Sequence, residues 1–126
     1  MSDEDQLHSV GQVSRHVLDI EASTGWYRDV LGLTHLYRFG ALSFFDCGGL
    51  RLYLQESPEA GPESVLYFRV DNIEASYQTL SGRGAEFMQT PHLIHRHEDG
   101  TEEWMAFFGD LEGRPLALMA QKRAEP

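Results

Sequence analysis

The sequence predicts an α+β fold in which one strand–helix–strand–strand–strand unit occurs twice in a single chain. Three observations carry this. Ile20-Glu21-Ala22-Ser23 returns as Ile73-Glu74-Ala75-Ser76, an offset of 53 (73 minus 20). Phe44-Phe45, before one glycine turn, is matched by Phe107-Phe108 before another. Gly49, Leu52 and Leu54 return as Gly113, Leu116 and Leu118, an offset of 64 (113 minus 49). The growth of the offset puts the extra residues mostly in the stretch 91–100, with one more in the final turn. A duplicated unit of this kind buries its apolar face against its twin.

The elements follow in order. Residues 1–8 are expected to fray. Residues 10–18 read as strand. Asp19 is placed to cap a helix, Glu21 adds charge that its dipole favours, and Ile20, Tyr27, Val30 and Leu31 form its apolar stripe. Gly32 stands where a left-handed C-terminal residue is needed. Residues 35–39 and 41–46 read as strands meeting at Gly40, and Cys47-Gly48-Gly49 as a tight turn. Residues 50–55 alternate strictly, the mark of a half-buried strand. SPEAGPES, residues 57–64, is a loop by composition and the link between the halves. Module one is therefore expected over about 9–56 and module two over about 64–121. In the second, strands are expected at 65–70, from 85, at 104–108 and at 116–120, with a helix over about 73–82 ended by Gly82 and Gly84.

Composition excludes several classes. At 126 residues, 41% hydrophobic and 24% charged, the chain is an ordinary globular domain. A net charge of −10 argues against a nucleic-acid partner. No apolar run is long enough to span a membrane. The acidic start has no signal-like apolar core and the single cysteine can make no internal disulfide, so a cytoplasmic protein is expected.

Two motifs carry a resemblance. Trp26-Tyr27-Arg28-Asp29-Val30-Leu31-Gly32-Leu33 and the turn Asp110-Leu111-Glu112-Gly113-Arg114 resemble the vicinal oxygen chelate superfamily. It contains glyoxalase I, bleomycin-resistance proteins, fosfomycin-resistance enzymes and extradiol dioxygenases. Leu111 replaces the proline usual in that turn. The resemblance runs from about Val10 to Ala120. It implies two βαβββ modules whose mixed sheets curl into a cup-shaped cavity, and commonly a homodimer. Metal-dependent members hold the ion with His, Gln or Glu from the first and last strand of each module. The matching positions here are Gln12, Tyr53, Val65 and Ala117. Valine and alanine cannot ligate through their side chains, and Gln alone is a weak ligand. The resemblance therefore implies the scaffold without its usual metal site.

Strand alternation then orders the other side chains. With Gln12 facing inward, Ser14 and His16 follow. Tyr53 brings Arg51 and Gln55, Val65 brings Tyr67 and Arg69, and Ala117 brings Met119. Trp104 is a further candidate wall of the cavity. Arginines can grip a carboxylate or phosphate, and the tyrosines and Gln12 can orient a ligand. His16 and Tyr53 are the candidate acid–base residues. Arg15 alone falls on the core face, where its stem could cover apolar surface while its charge reaches water.

The expected function is a metal-free protein binding a small anionic or aromatic molecule. Two alternatives stand beside it. One is a metal-dependent lyase or dioxygenase whose divalent ion has moved to Gln12, His16, Glu56 or the His92, His95 and His97 cluster. The other is a metal-free isomerase or lyase. The stretch 91–100 reads as a solvated, edge-like segment or cavity lid, Glu56 as a rim residue and Cys47 as a small buried residue.

Overall fold

The computed structural model of the chain describes residues 7, 9–61 and 63–123. The frayed start expected for residues 1–8 falls outside these but for Leu7. Module one runs β1 (Gln12–Val17), α1 (Ile20–Asp29), β2 (Thr34–Phe39), β3 (Leu42–Cys47) and β4 (Leu50–Glu56). Module two runs β5 (Leu66–Arg69), α2 (Ile73–Gly82), β6 (Glu86–Arg96), β7 (Glu102–Gly109) and β8 (Pro115–Lys122). No helix among the described residues is long and apolar enough to cross a membrane.

The repeat is exact in register. Ser14 pairs with Tyr53 in the parallel β1–β4 ladder, and Tyr67 with Ala117 in the parallel β5–β8 ladder. Each helix opens on a side-chain cap. Asp19 Oδ1 accepts the Ala22 N–H at 3.0 Å, and Asn72 Oδ1 accepts the Ala75 N–H at 3.0 Å. An Asp or Asn cap of this kind stabilises its helix by about 1 kcal/mol over alanine. Helix α1 stops at Gly32, whose φ of 79° is the left-handed value that glycine adopts without strain.

The strands form two four-stranded mixed sheets, ordered β1-β4-β3-β2 and β5-β8-β7-β6. Among the described residues no ladder joins them, so the sheets do not close into one. Each buries one face under the helices. Val17, Ile20, Tyr27, Phe45, Leu52 and Leu54 form one core, and Ile73, Leu80, Ala106, Phe108, Leu116 and Leu118 the other. Each large side chain among them contributes about 1.5–3 kcal/mol by leaving water. Trp26 and Leu31 pack against both cores and make them continuous.

The five-residue turn between β7 and β8 also crosses from one module to the other. Glu112 accepts the N–H groups of Leu18 (2.7 Å) and Asp19 (2.9 Å), just before α1. Asp110 accepts the Tyr27 hydroxyl at 2.8 Å in a buried contact. Arg114 donates to the carbonyls of His16 and Gly61.

One expectation needs correction. Arg15 does not carry its charge to water. It is 2% exposed, and its guanidinium donates to the carbonyls of Pro115 (3.1 Å) and Ser64 (2.9 Å). The stem cannot reach out because module two lies across its path. The stretch 91–100, read as a solvated, edge-like segment or lid, runs as largely exposed edge strand as far as Arg96. Strand β6 has eleven residues where its counterpart β2 has six. The inserted length is absorbed by three register irregularities against β7 and by a turn closed from His97 to Thr101.

Candidate functional site

Alternation places most of the predicted site residues on the faces turned away from the helices. On sheet one, Gln12, Ser14 and His16 of β1 lie opposite Arg51, Tyr53 and Gln55 of β4. All but Tyr53 are exposed, and Tyr53 is half-buried. On sheet two, Tyr67 and Arg69 lie opposite Ala117 and Met119, and both are exposed. The two groups make no hydrogen bond or ring contact with each other among the described residues.

The set on sheet one is aromatic. Phe44 of β3 pairs with Tyr53 of β4 and with Tyr37 of β2, which puts all three rings on one face. Tyr53 stacks on Phe44 with centroids 5.1 Å apart, and Tyr37 stacks on the same ring at 4.7 Å. Phe39 extends the row at 5.8 Å from Phe44 and is 58% exposed. Arg51 donates to the Tyr37 hydroxyl at 3.1 Å and holds its guanidinium 5.8 Å from the Phe44 ring centre. A cation beside an exposed aromatic row is a surface suited to a ring that bears negative charge. Sequence reasoning found Arg51 and Tyr53 but missed Tyr37, Phe39 and Phe44. The alternation of Tyr37 with Phe39 was the available signal. Pairing is regular from Phe39 to Tyr37, so counting back from the Gly40 turn gives their facing, and the bulge lies beyond, between His35 and Tyr37.

His16 is half-exposed and lies 3.4 Å through Nδ1 from a carboxylate oxygen of Glu63, which also accepts the His16 N–H. Trp104 does not join the candidate surface. It pairs with Ala120, so it shares the helix side with Ala106 and Phe108, and the Lys122 ammonium lies 3.8 Å from its ring centre. Glu56 turns the same way, and its carboxylate accepts the Ile20 N–H at 3.0 Å at the head of α1.

Sheet two carries a histidine-rich region. The His95 and His97 rings meet edge to face at 4.7 Å, and His97 Nε2 is 2.8 Å from Glu103. Hydrogen bonds from His97 and Gln121 hold the Glu103 carboxyl below the usual carboxylate range. Among the described residues no group of three or more His, Cys, Asp or Glu side chains is arranged to hold a metal ion. The four positions where the fold family carries ligands do not fit one either. Gln12 offers a carboxamide, Tyr53 a phenol stacked on Phe44, and Val65 and the fully buried Ala117 offer no donor. Burial and then the neighbouring Asp46 push the Cys47 thiol up, which disfavours the thiolate that a metal or an electrophile would need.

Comparison with known proteins places the chain. The family model described as the Glyoxalase/Bleomycin resistance protein/Dioxygenase superfamily matches residues 9–113, and the chain belongs to that superfamily. No curated protein matches it. Among solved structures it is similar to lactoylglutathione lyase from Agrobacterium tumefaciens, at 19% identity over 89% of this chain and 92% of that one, with a TM-score of 0.70. A family member from Burkholderia phytofirmans matches at 17% identity over 90% and 98%, with a TM-score of 0.70. An integron cassette protein from Vibrio cholerae matches at 16% identity over 91% and 96%, with a TM-score of 0.73. At these identities the likeness is one of fold.

Proposed function

We propose that the chain binds a small anionic or phenolic molecule on the helix-free faces of its sheets, without a metal at the family's ligand positions. Arg51 takes the charge, and Tyr37 and Tyr53, stacked on the buried Phe44, flank the ring. The observation that carries this reading is the guanidinium set beside a stacked, partly exposed aromatic row. Among the described residues Arg51 has no carboxylate within salt-bridge distance, although the protein carries 20 acidic side chains. Gln12, Ser14 and His16 border the row through the β1–β4 ladder and offer hydrogen bonds to the rest of the ligand. Tyr67 and Arg69 form the corresponding pair on sheet two.

Calorimetric titration with 4-hydroxybenzoate and related acids tests the reading. Loss of one well-made charged contact weakens binding by about 2 kcal/mol, or roughly thirtyfold. That loss is expected for Arg51→Met, and a smaller one for Arg69→Met. Equal affinities for both variants and the wild type would remove the arginines from the site. Elemental analysis addresses the metal. A stoichiometric transition metal whose occupancy falls on Gln12→Ala would overturn the metal-free reading.

The same reading includes a cytoplasmic homodimer. Its support is the long edge strand β6, where Met88, Leu93 and Ile94 are exposed. An uncovered apolar edge of this length invites pairing. Light scattering is expected to give twice the 14.3 kDa chain mass. A mass of one chain at high concentration would contradict the dimer.

A further inference from the structure

The two modules differ at one twofold-related place. In module two the turn Asp110–Arg114 fills the angle between β1 and the start of α1. Glu112 there touches the backbone N–H groups of Leu18 and Asp19 and, at 3.4 Å, the Ser23 hydroxyl. In module one the corresponding turn is only Gly48-Gly49, because Cys47 already pairs with Leu50. It is too short to reach the angle between β5 and α2. That angle opens instead into a cavity of about 400 Å³.

Six residues of the cavity lining have counterparts in β1 and α1 of module one. Phe68, Val70, Ser76, Thr79, Leu80 and Arg83 stand 53 positions after Arg15, Val17, Ser23, Trp26, Tyr27 and Val30. Three of the replacements open the space or make it apolar, and a fourth, Val30 to Arg83, adds a cation. Trp26 becomes the small Thr79, which makes room. Arg15 and Tyr27 become Phe68 and Leu80, which makes the wall apolar. Four polar side chains line the cavity, Arg69, Ser76, Thr79 and Arg83. Ser76 is the twin of the serine that touches Glu112, and Arg83 spends one N–H on the Val30 carbonyl at 3.2 Å and has others to give. The volume is in the range of small-molecule sites, which pair an apolar wall with a few placed polar groups.

We propose that this cavity binds a small apolar monocarboxylate. Its carboxylate meets Ser76, as that of Glu112 meets Ser23 in the filled twin. Its chain lies along Phe68, Val70 and Leu80, with Arg83 at the rim. The reason for a carboxylate is that Ser23, the twin of Ser76, already touches one, and that Arg83, two turns on along α2, adds a cation. The site is on the helix side of the sheets and is separate from the aromatic row. Arg69 borders it, so that residue is left unaltered in the test.

The chain's one cysteine, Cys47, borders the cavity and reports its occupancy through alkylation by iodoacetamide at alkaline pH, where its raised thiol ionises. Octanoate at about ten times its Kd is expected to slow alkylation about tenfold. Octanamide, lacking the charge, is expected to need roughly tenfold more for the same protection. Thr79→Trp, which restores the bulk of Trp26, is expected to abolish the protection, and Ser76→Ala to weaken it severalfold. Arg51→Met is expected to leave it unchanged, which separates this site from the aromatic row. Equal protection by octanoate and octanamide overturns the carboxylate assignment. No protection at millimolar octanoate, protection that survives both Thr79→Trp and Ser76→Ala, or its loss in Arg51→Met overturns the site itself.

Discussion

Tyr27 and Asp110 meet where water does not reach, one from α1 and the other from the β7–β8 turn. Burial, and then the Asp110 charge, raise the phenol far above its ordinary value. An unfolded chain releases that proton above pH about 10, while the native one keeps it. Native protein then binds more protons than unfolded protein, so stability falls as pH rises past that point. Urea titrations are expected to show this fall in the wild type and a shallower one in Tyr27→Phe. At neutral pH the same variant leaves a buried carboxylate one donor short and should lose about 1–3 kcal/mol. Arg15 shows why such contacts were not legible in the sequence. Its place on the core face followed from alternation alone. Its partners, the carbonyls of Ser64 and Pro115, belong to backbone far along the chain, and no spacing rule names them.

At the scale of elements, α1 begins on charges that it does not own. Its own cap, Asp19, was readable, because a capping side chain acts on the turn that follows it. Glu112, from the other module, was not readable in that role, although its turn was picked out by resemblance. Glu112→Ala is expected to cost about 1–2 kcal/mol. Hydrogen exchange should accelerate at Leu18 and Asp19 and stay unchanged at the start of α2. Acceleration at both helices would show a general loosening instead. The strand faces followed from period-two counting wherever the ladders are regular, as in β1, β4, β5 and β8. Counting back from Gly40 gives the face of Tyr37, but counting cannot delimit β6, because register breaks interrupt the period there. Trp104 was assigned to the cavity by its chemistry alone. Counting back from Phe108 by twos would have put it under α2.

The whole molecule is two similar halves that do not fold against themselves alone. Trp26 and Leu31 serve both cores, and Arg15, Arg114 and Glu112 bind across the seam. Urea unfolding followed by tryptophan fluorescence and by far-ultraviolet circular dichroism is therefore expected to give one coincident transition. Two separated transitions would mean that the modules are independent. The unequal hairpin turns have a consequence for how the chain can vary. The tip at Gly48-Gly49 meets nothing, since a Cβ at either glycine would find open space. The Asp110–Arg114 turn is held at both ends by groups from the other module. Inserted residues are therefore expected to be accepted at the first tip with little change in melting temperature, since loop closure costs only about 0.6 kcal/mol per doubling of length. The same insertion beside Glu112 is expected to unseat the head of α1. Duplication left two copies of one hairpin, and only the first is free to lengthen, diversify and acquire new contacts while the second keeps the fold.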